Sequence, residues 1–163
     1  MSNEIRKTIV IDARPEVVFR ALTEEKELTN WFPDQARLEL KVGGSMQFKF
    51  FEDGKENHRV EGKVLEIIPN KKISYSWANK SDPNFPKTTV TWTLEEVNGK
   101  TKVTMVHTGF DPKSKWHELH SMGWSYFIEE RLVQYCSGKP MSERKSSTRC
   151  QIEKSDVHLK THY

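Results

Sequence analysis

One segment limits the folds open to this chain more than any other: Lys115 to Ser137, KWHELHSMGWSYFIEERLVQYCS. Its residues Trp116, Leu119, Gly123, Trp124, Phe127, Ile128, Leu132 and Tyr135 recur three or four apart, which puts them on one side of an α-helix. Glu118, Ser125, Glu129 and Glu130 fall largely outside that stripe. A helix with two Trp on one side carries more aromatic area than a surface helix needs to cover. It must lie against a broad apolar partner, most simply the inner face of a sheet. Gly138 and Pro140 stop the helix in the order usual for a C-terminus.

The preceding chain can supply that sheet. Ile5 to Asp12 is β-branched, with Ile5, Ile9 and Ile11 in one phase, and reads as a strand ended by Ala13-Arg14-Pro15. Pro15 suits the first position of a short helix with Val17, Val18, Ala21 and Leu22 on its buried side and Asp12 to Arg14 near its cap. Thr23, followed by Glu24 and Glu25, is expected to open a second short helix that ends at Trp31-Phe32-Pro33. Turns then recur at strand intervals: Gly43-Gly44, Asp53-Gly54, Pro69-Asn70, Asp82 to Pro86 and Asn98-Gly99. Between them, Met46, Phe48 and Phe50, then Val60, Gly62 and Val64, then Ile73, Tyr75 and Trp77 alternate with polar neighbours. Val90, Trp92 and Leu94, and Val103, Met105 and His107, complete the series. This is the period of antiparallel strands with one packed face and one wet face. Asn98-Gly99 is the strongest hairpin signal, because both central residues of a type I′ turn need positive φ.

Length and charge narrow the function. A chain of 163 residues is one domain in size, and its 35% apolar share and mean hydropathy of -0.75 include no run long enough to span a membrane. No signal-peptide pattern opens it, so a soluble, cytoplasmic protein is expected. The net charge is +3, yet residues 1–137 carry 20 Lys and Arg against 20 Asp and Glu. The excess lies in residues 138–163, a basic tail with few large apolar residues that is expected to be disordered and dispensable for the fold. No basic groove with interleaved aromatics points to nucleic acid. Cys136 and Cys150 are expected to be free thiols.

Several stretches together carry a family resemblance: IVIDARPEVVFRALTEEKELTNWF, GGSMQFKF, EGKVLEIIPNKKISYSW, TVTWTLEEVNGKTKVTMVHTGF and HSMGWSYFIEERL. Over roughly residues 5 to 137 the chain resembles bacterial homologues of the activator of the heat-shock chaperone ATPase. That group belongs to the START-like, birch-pollen-allergen-like (SRPBCC) helix-grip superfamily. The resemblance implies an α+β fold, a curved antiparallel sheet of about six or seven strands wrapped on the long C-terminal helix, with two short helices after the first strand. It also implies a cavity that in relatives holds lipids, sterols, polyketides or other hydrophobic molecules, and it supplies no catalytic motif. The domain boundary is expected at 137, with the tail outside it.

The expected site is the aromatic inner surface: Phe48, Phe50, Tyr75, Trp77 and Trp92 from strands, with Trp116, Trp124 and Phe127 from the helix. Large flat rings that all point inward pack with gaps, and an apolar gap with a few polar groups is what a small-molecule pocket looks like. His107 and His120 are placed at its mouth as partly buried hydrogen-bonding groups, and His117 faces solvent. HELH lacks the i, i+4 spacing of a zinc helix, so no metal site and no cofactor are expected. Glu66 and Glu118 fall on wet faces, and no Ser, His and Asp set is recognisable, which leaves no catalytic residue to name. Trp31-Phe32-Pro33 is either a lid over the cavity or ordinary end-capping of the core, with the second favoured. The leading expectation is a monomeric binder of a small hydrophobic molecule. A chaperone-docking domain is the alternative, and a cyclase or aromatase-type enzyme the minority reading.

Overall fold

The structure is a computed structural model and describes residues 4–111 and 113–138. β1 (Ile5–Ile11) is followed by α1 (Pro15–Thr23) and α2 (Glu25–Trp31), then by β2 (Gln35–Leu38), β3 (Ser45–Glu52), β4 (Lys55–Ile68), β5 (Lys72–Asn79), β6 (Thr88–Val97) and β7 (Lys100–Thr108). The C-terminal rod begins as α3 (Lys115–Trp124), widens into a π-helical segment (Ser125–Leu132) and ends as α4 (Val133–Cys136). All strands form one antiparallel sheet in the order β1-β7-β6-β5-β4-β3-β2. The helical pair α1 and α2 therefore carries the chain from one edge of the sheet to the other. Successive hairpins then walk it back until β7 lies beside β1. The α+β architecture expected from the sequence is the one observed.

Local chemistry explains most of the elements. Pro15 opens α1 as its first residue, where its missing N–H costs nothing, although no side chain caps that end. Asn98 and Gly99 have φ of +52° and +80°, the geometry a tight β6–β7 hairpin requires. Register shifts between Phe50 and Phe51 and between Val64 and Glu66 are bulges that bend β3 and β4. Bulged strands twist more strongly, which lets the sheet curve over the rod. Thr23 behaves differently from expectation. α1 runs through it, its hydroxyl donates to the Phe19 carbonyl at 2.7 Å, and Glu24 takes the junction between the two helices. A Thr reaching back one turn satisfies its own hydroxyl without capping anything.

The rod also departs from the expected uninterrupted α-helix. Across the π-helical segment each hydrogen-bonded ring holds one more residue, so the three-and-four stripe no longer decides which side chains face inward. Tyr126 and Arg131 are buried beside Phe127, Ile128 and Leu132, while Tyr135 is only half-buried. Arg131 Nη2 donates to the Asn30 carbonyl at 2.9 Å, and the Tyr135 hydroxyl donates to Glu27 at 3.3 Å, so the rod is tied to α2. The Cys136 thiol is free and buried, and that burial pushes its pKa up to about 12. Cys150 and the tail lie outside the described residues.

Candidate functional site

Strand alternation and the rod bring all ten expected site residues into one interior. β3 contributes Phe48 and Phe50, β5 Tyr75 and Trp77, β6 Trp92 and β7 His107. The rod faces them with Trp116, His120, Trp124 and Phe127. None is more than 7% exposed. The centre of this interior is occupied by a ring that comes from neither the sheet nor the rod. Phe32, at the end of α2, lies 5.4 Å from Phe48, 5.5 Å from Phe50, 5.2 Å from Trp124 and 4.9 Å from Phe127, measured between ring centroids. It also stacks on Trp31 and Trp77 at 5.0 and 6.2 Å. Trp31 is held in turn by its indole N–H, which donates to the Ala21 carbonyl at 2.8 Å. The Trp31-Phe32 pair is thus core, and Phe32 fills the space between sheet and rod.

Every indole of the central cluster has a hydrogen-bond acceptor, and the acceptors determine the histidine tautomers. Trp124 Nε1–H donates to His107 Nδ1 at 3.0 Å, so the His107 proton sits on Nε2, 2.8 Å from Thr88 Oγ1. Thr88 passes its own hydroxyl proton to the Trp77 carbonyl at 2.8 Å. Trp77 Nε1–H donates to His120 Nε2 at 3.3 Å, so His120 carries its proton on Nδ1, which donates to the Trp116 carbonyl at 3.0 Å. Trp92 Nε1–H donates to the Tyr75 hydroxyl at 3.0 Å. Both imidazoles are therefore neutral and accept from an indole. Burial in this apolar space holds His120 down to about 3 and His107 well below its ordinary 6.5, and it pushes the Tyr75 phenol up. With both ring nitrogens engaged, neither His107 nor His120 offers a lone pair to a metal. Among the described residues no group of three or more His, Cys, Asp or Glu is placed to hold one.

Two expectations need correction. His107 and His120 do not stand at a mouth; they are 0% and 1% exposed and stitch the sheet to the rod. Alternation along β7 put His107 on the inner face correctly, but the depth of that face depends on what covers it. Here the cover is Phe110, whose ring lies 4.6 Å from His107 and 5.0 Å from His120. His117 does not face open solvent but is half-buried, 6.3 Å from the same Phe110. Glu66 and Glu118 are exposed, as expected. The most accessible of the expected residues, Phe50, Trp116 and Phe127, mark the rim, where His58 stacks on Phe50 at 4.6 Å. Trp116 stands apart from the centre and reaches it through Phe85, 5.1 Å away.

Sequence reasoning missed Thr88, Phe85 and Phe110. Thr88 was recoverable, since it sits two positions before Val90 in the inward phase of β6. Phe110 was not, because Gly109, with φ of +110°, breaks the β7 alternation just before it. Outside this interior, one hollow of about 530 Å³ lies between α2 and the β2–β3 edge. Another, of about 450 Å³, lies on β4 and β5.

Comparison with known proteins agrees with this architecture. Over 120 residues the chain is 28% identical to the activator of 90 kDa heat shock protein ATPase homolog 1 of Mus musculus. That alignment covers 74% of this chain and only 33% of the mouse protein, so the chain spans about a third of its length. A Mesorhizobium loti protein of known crystal structure superposes with a TM-score of 0.72 at 27% identity, covering 85% of this chain and 99% of that one. The Aha1 dimer from Colwellia psychrerythraea, solved in solution, superposes with a TM-score of 0.70 at 25% identity over 84% of this chain and 98% of its own. Residues 12–137 match the model of one family throughout, from the end of β1 to the end of the rod, and the chain belongs to that family, the Activator of Hsp90 ATPase homolog 1-like proteins.

Proposed function

We propose that this protein binds a small, largely apolar, uncharged molecule of aromatic dimensions between the inner face of the sheet and the C-terminal rod. Its walls would be Phe48, Phe50, Tyr75, Trp77, Trp92, His107, Trp116, His120, Trp124 and Phe127. The observation that carries this reading is Phe32. Its ring is supplied by the end of a seven-residue helix and packs among residues of the sheet and rod, where a bound ring would make the same stacked and edge-on contacts. A side chain on a short helix end can be withdrawn more cheaply than one on a central strand. The π-helical segment that forms the opposite wall supports the reading, since such segments occur often at functional sites. The lining favours a neutral ligand because its polar groups are neutral imidazoles, indoles and a phenol.

The test is a titration with a panel of flavonoids, sterols and fatty acids, followed by Trp emission, on the wild type and on Phe32→Ala. Phe32→Ala leaves a space lined by apolar rings, which should admit a benzene-sized probe as well. Saturable quenching, tighter in Phe32→Ala, is expected. No response from any compound in either protein would sink the proposal.

A second reading, docking to an Hsp90-type chaperone, is favoured by the 28% identity to a chaperone ATPase activator. That relative is about three times the aligned length, so its activity need not reside in the shared part. Stimulation of a chaperone ATPase by this chain alone, unchanged by Phe32→Ala, would favour docking over ligand binding.

A further inference from the structure

The hollow on β4 and β5 shares Trp77 and Thr88 with the aromatic interior, but its charged rim plays no part in the reading above. Lys63, Lys80 and Lys87 line it, with Glu61 as the single acid and Gly62 and Ser76 among the remaining lining residues. The sheet is opened at this point. The β4–β5 ladder pairs Glu61 with Ala78 and resumes only at Val64 with Tyr75, and in the gap the Lys63 backbone N–H donates to the Ser76 side chain at 2.8 Å. The strands still press together there: a Cβ on Gly62 would stand 1.8 Å from the Ser76 carbonyl oxygen, so position 62 must be bare.

Several neighbouring cations of the sheet are paired. Lys49 pairs with Glu56, Arg59 with Glu56 and Glu61, and Lys72 with Glu66. Glu61 also accepts a hydrogen bond from the Gln47 side-chain amide at 2.8 Å. Lys63, Lys80 and Lys87 form no ion pair among the described residues. Three lysines lining one concavity against a single acid leave an excess of positive charge there, which an anion seated between them would offset.

We propose that this hollow binds a small molecule carrying two or more phosphates. Its volume, about 450 Å³, is that of a small-molecule site and not of an extended protein contact. Its cations are all Lys, which bind phosphate as point charges. The lining holds no Arg, whose planar fork would add bidentate geometry for carboxylate or phosphate alike, so attraction here is by charge alone.

Calorimetric titration of the full chain with inorganic tripolyphosphate at low salt tests this, read together with backbone amide shifts. The proposal expects saturable one-to-one binding that weakens as salt is raised, with shifts centred on Gly62, Lys63, Ser76 and Ala78. The triple variant Lys63→Ala/Lys80→Ala/Lys87→Ala should weaken binding at least about tenfold. The control triple Lys7→Ala/Lys100→Ala/Lys102→Ala, on β1 and β7, should leave it unchanged. Equal losses in the two triples, shifts scattered over all exposed lysines, or no heat in the wild type would each refute the proposal. A hexaglutamate peptide that binds as tightly as tripolyphosphate would replace it with docking of an acidic protein segment.

Discussion

Acidification should destabilise this protein from about pH 6.5 downward, because two neutral histidines are locked in its centre. His120, buried and accepting from Trp77, has its pKa depressed to about 3 from an ordinary 6.5, and His107, accepting from Trp124, is depressed in the same direction. A depressed folded pKa means that the unfolded chain takes up the proton first. The stabilisation is fully present above pH 6.5 and is lost as pH falls toward the folded pKa. Each pH unit in that window costs about 1.4 kcal/mol per histidine. At pH 4.5 His120 therefore accounts for about 2–3 kcal/mol of lost stability, with His107 adding to it in the same direction, a large part of the 5–15 kcal/mol of an ordinary domain. The Glu16 and Glu39 carboxyls are held below their ordinary 4.5, so their contributions disappear only under more acid conditions. Urea unfolding followed by Trp emission at pH 7.5, 6.5, 5.5 and 4.5 gives the slope directly. His120→Gln, which removes one titrating group, should start less stable at pH 7.5 and show a shallower pH dependence than the wild type. The reasoning fails if stability is flat across this window, or if nitrogen shifts show the folded His107 and His120 titrating near 6.5. The same spectra should report the proton on Nε2 of His107 and on Nδ1 of His120.

Other perturbations probe the same interior and the sheet around it. Thr88→Val removes the acceptor of His107 and should cost about 1–3 kcal/mol in urea unfolding, as an orphaned buried donor does. Trp124→Ala should cost ~3–5 kcal/mol and, by freeing His107 from its indole donor, move the His107 tautomer ratio seen by NMR; a fully stable variant would contradict its burial at 3% exposure. Gly62→Ala must push β5 away from β4 and should lose at least ~1–3 kcal/mol. Asn98→Ala puts an unfavourable residue at φ +52° and should lower the unfolding midpoint by the equivalent of ~1 kcal/mol, whereas Asn98→Gly should be close to neutral.

How far the sequence alone reached follows from the range of the interactions involved. Alternation is a local property, set by a strand's two faces, so β3 and β5 to β7 could be read from single residues such as Phe48, Trp77, Trp92 and His107. Turn chemistry is local too, and Pro15 and Asn98-Gly99 opened and closed the elements they signalled. The short β2, with no clear alternation, was not singled out. The resemblance to chaperone-activator homologues rested on the order of such local signals, and the family match over residues 12–137 agrees with it.

What only the tertiary structure decided is depth and partnership. No periodicity says that His120 will accept from Trp77, 43 positions away, or that Arg131 will reach the end of α2, because those contacts depend on how two elements are laid together. The π-helical segment is a response to that packing. A sequence reads as α-helix by default, and which hydrogen-bond ring forms depends on which side chains the sheet and α2 accommodate. Phe32 is the plainest case. From the sequence it belongs to a Trp-Phe-Pro helix end, and its place among Phe48, Phe50, Trp124 and Phe127 exists only because α1 and α2 carry the chain across the sheet. The sequence alone determined which faces are aromatic, whereas the three-dimensional crossing determined which ring fills the space between them.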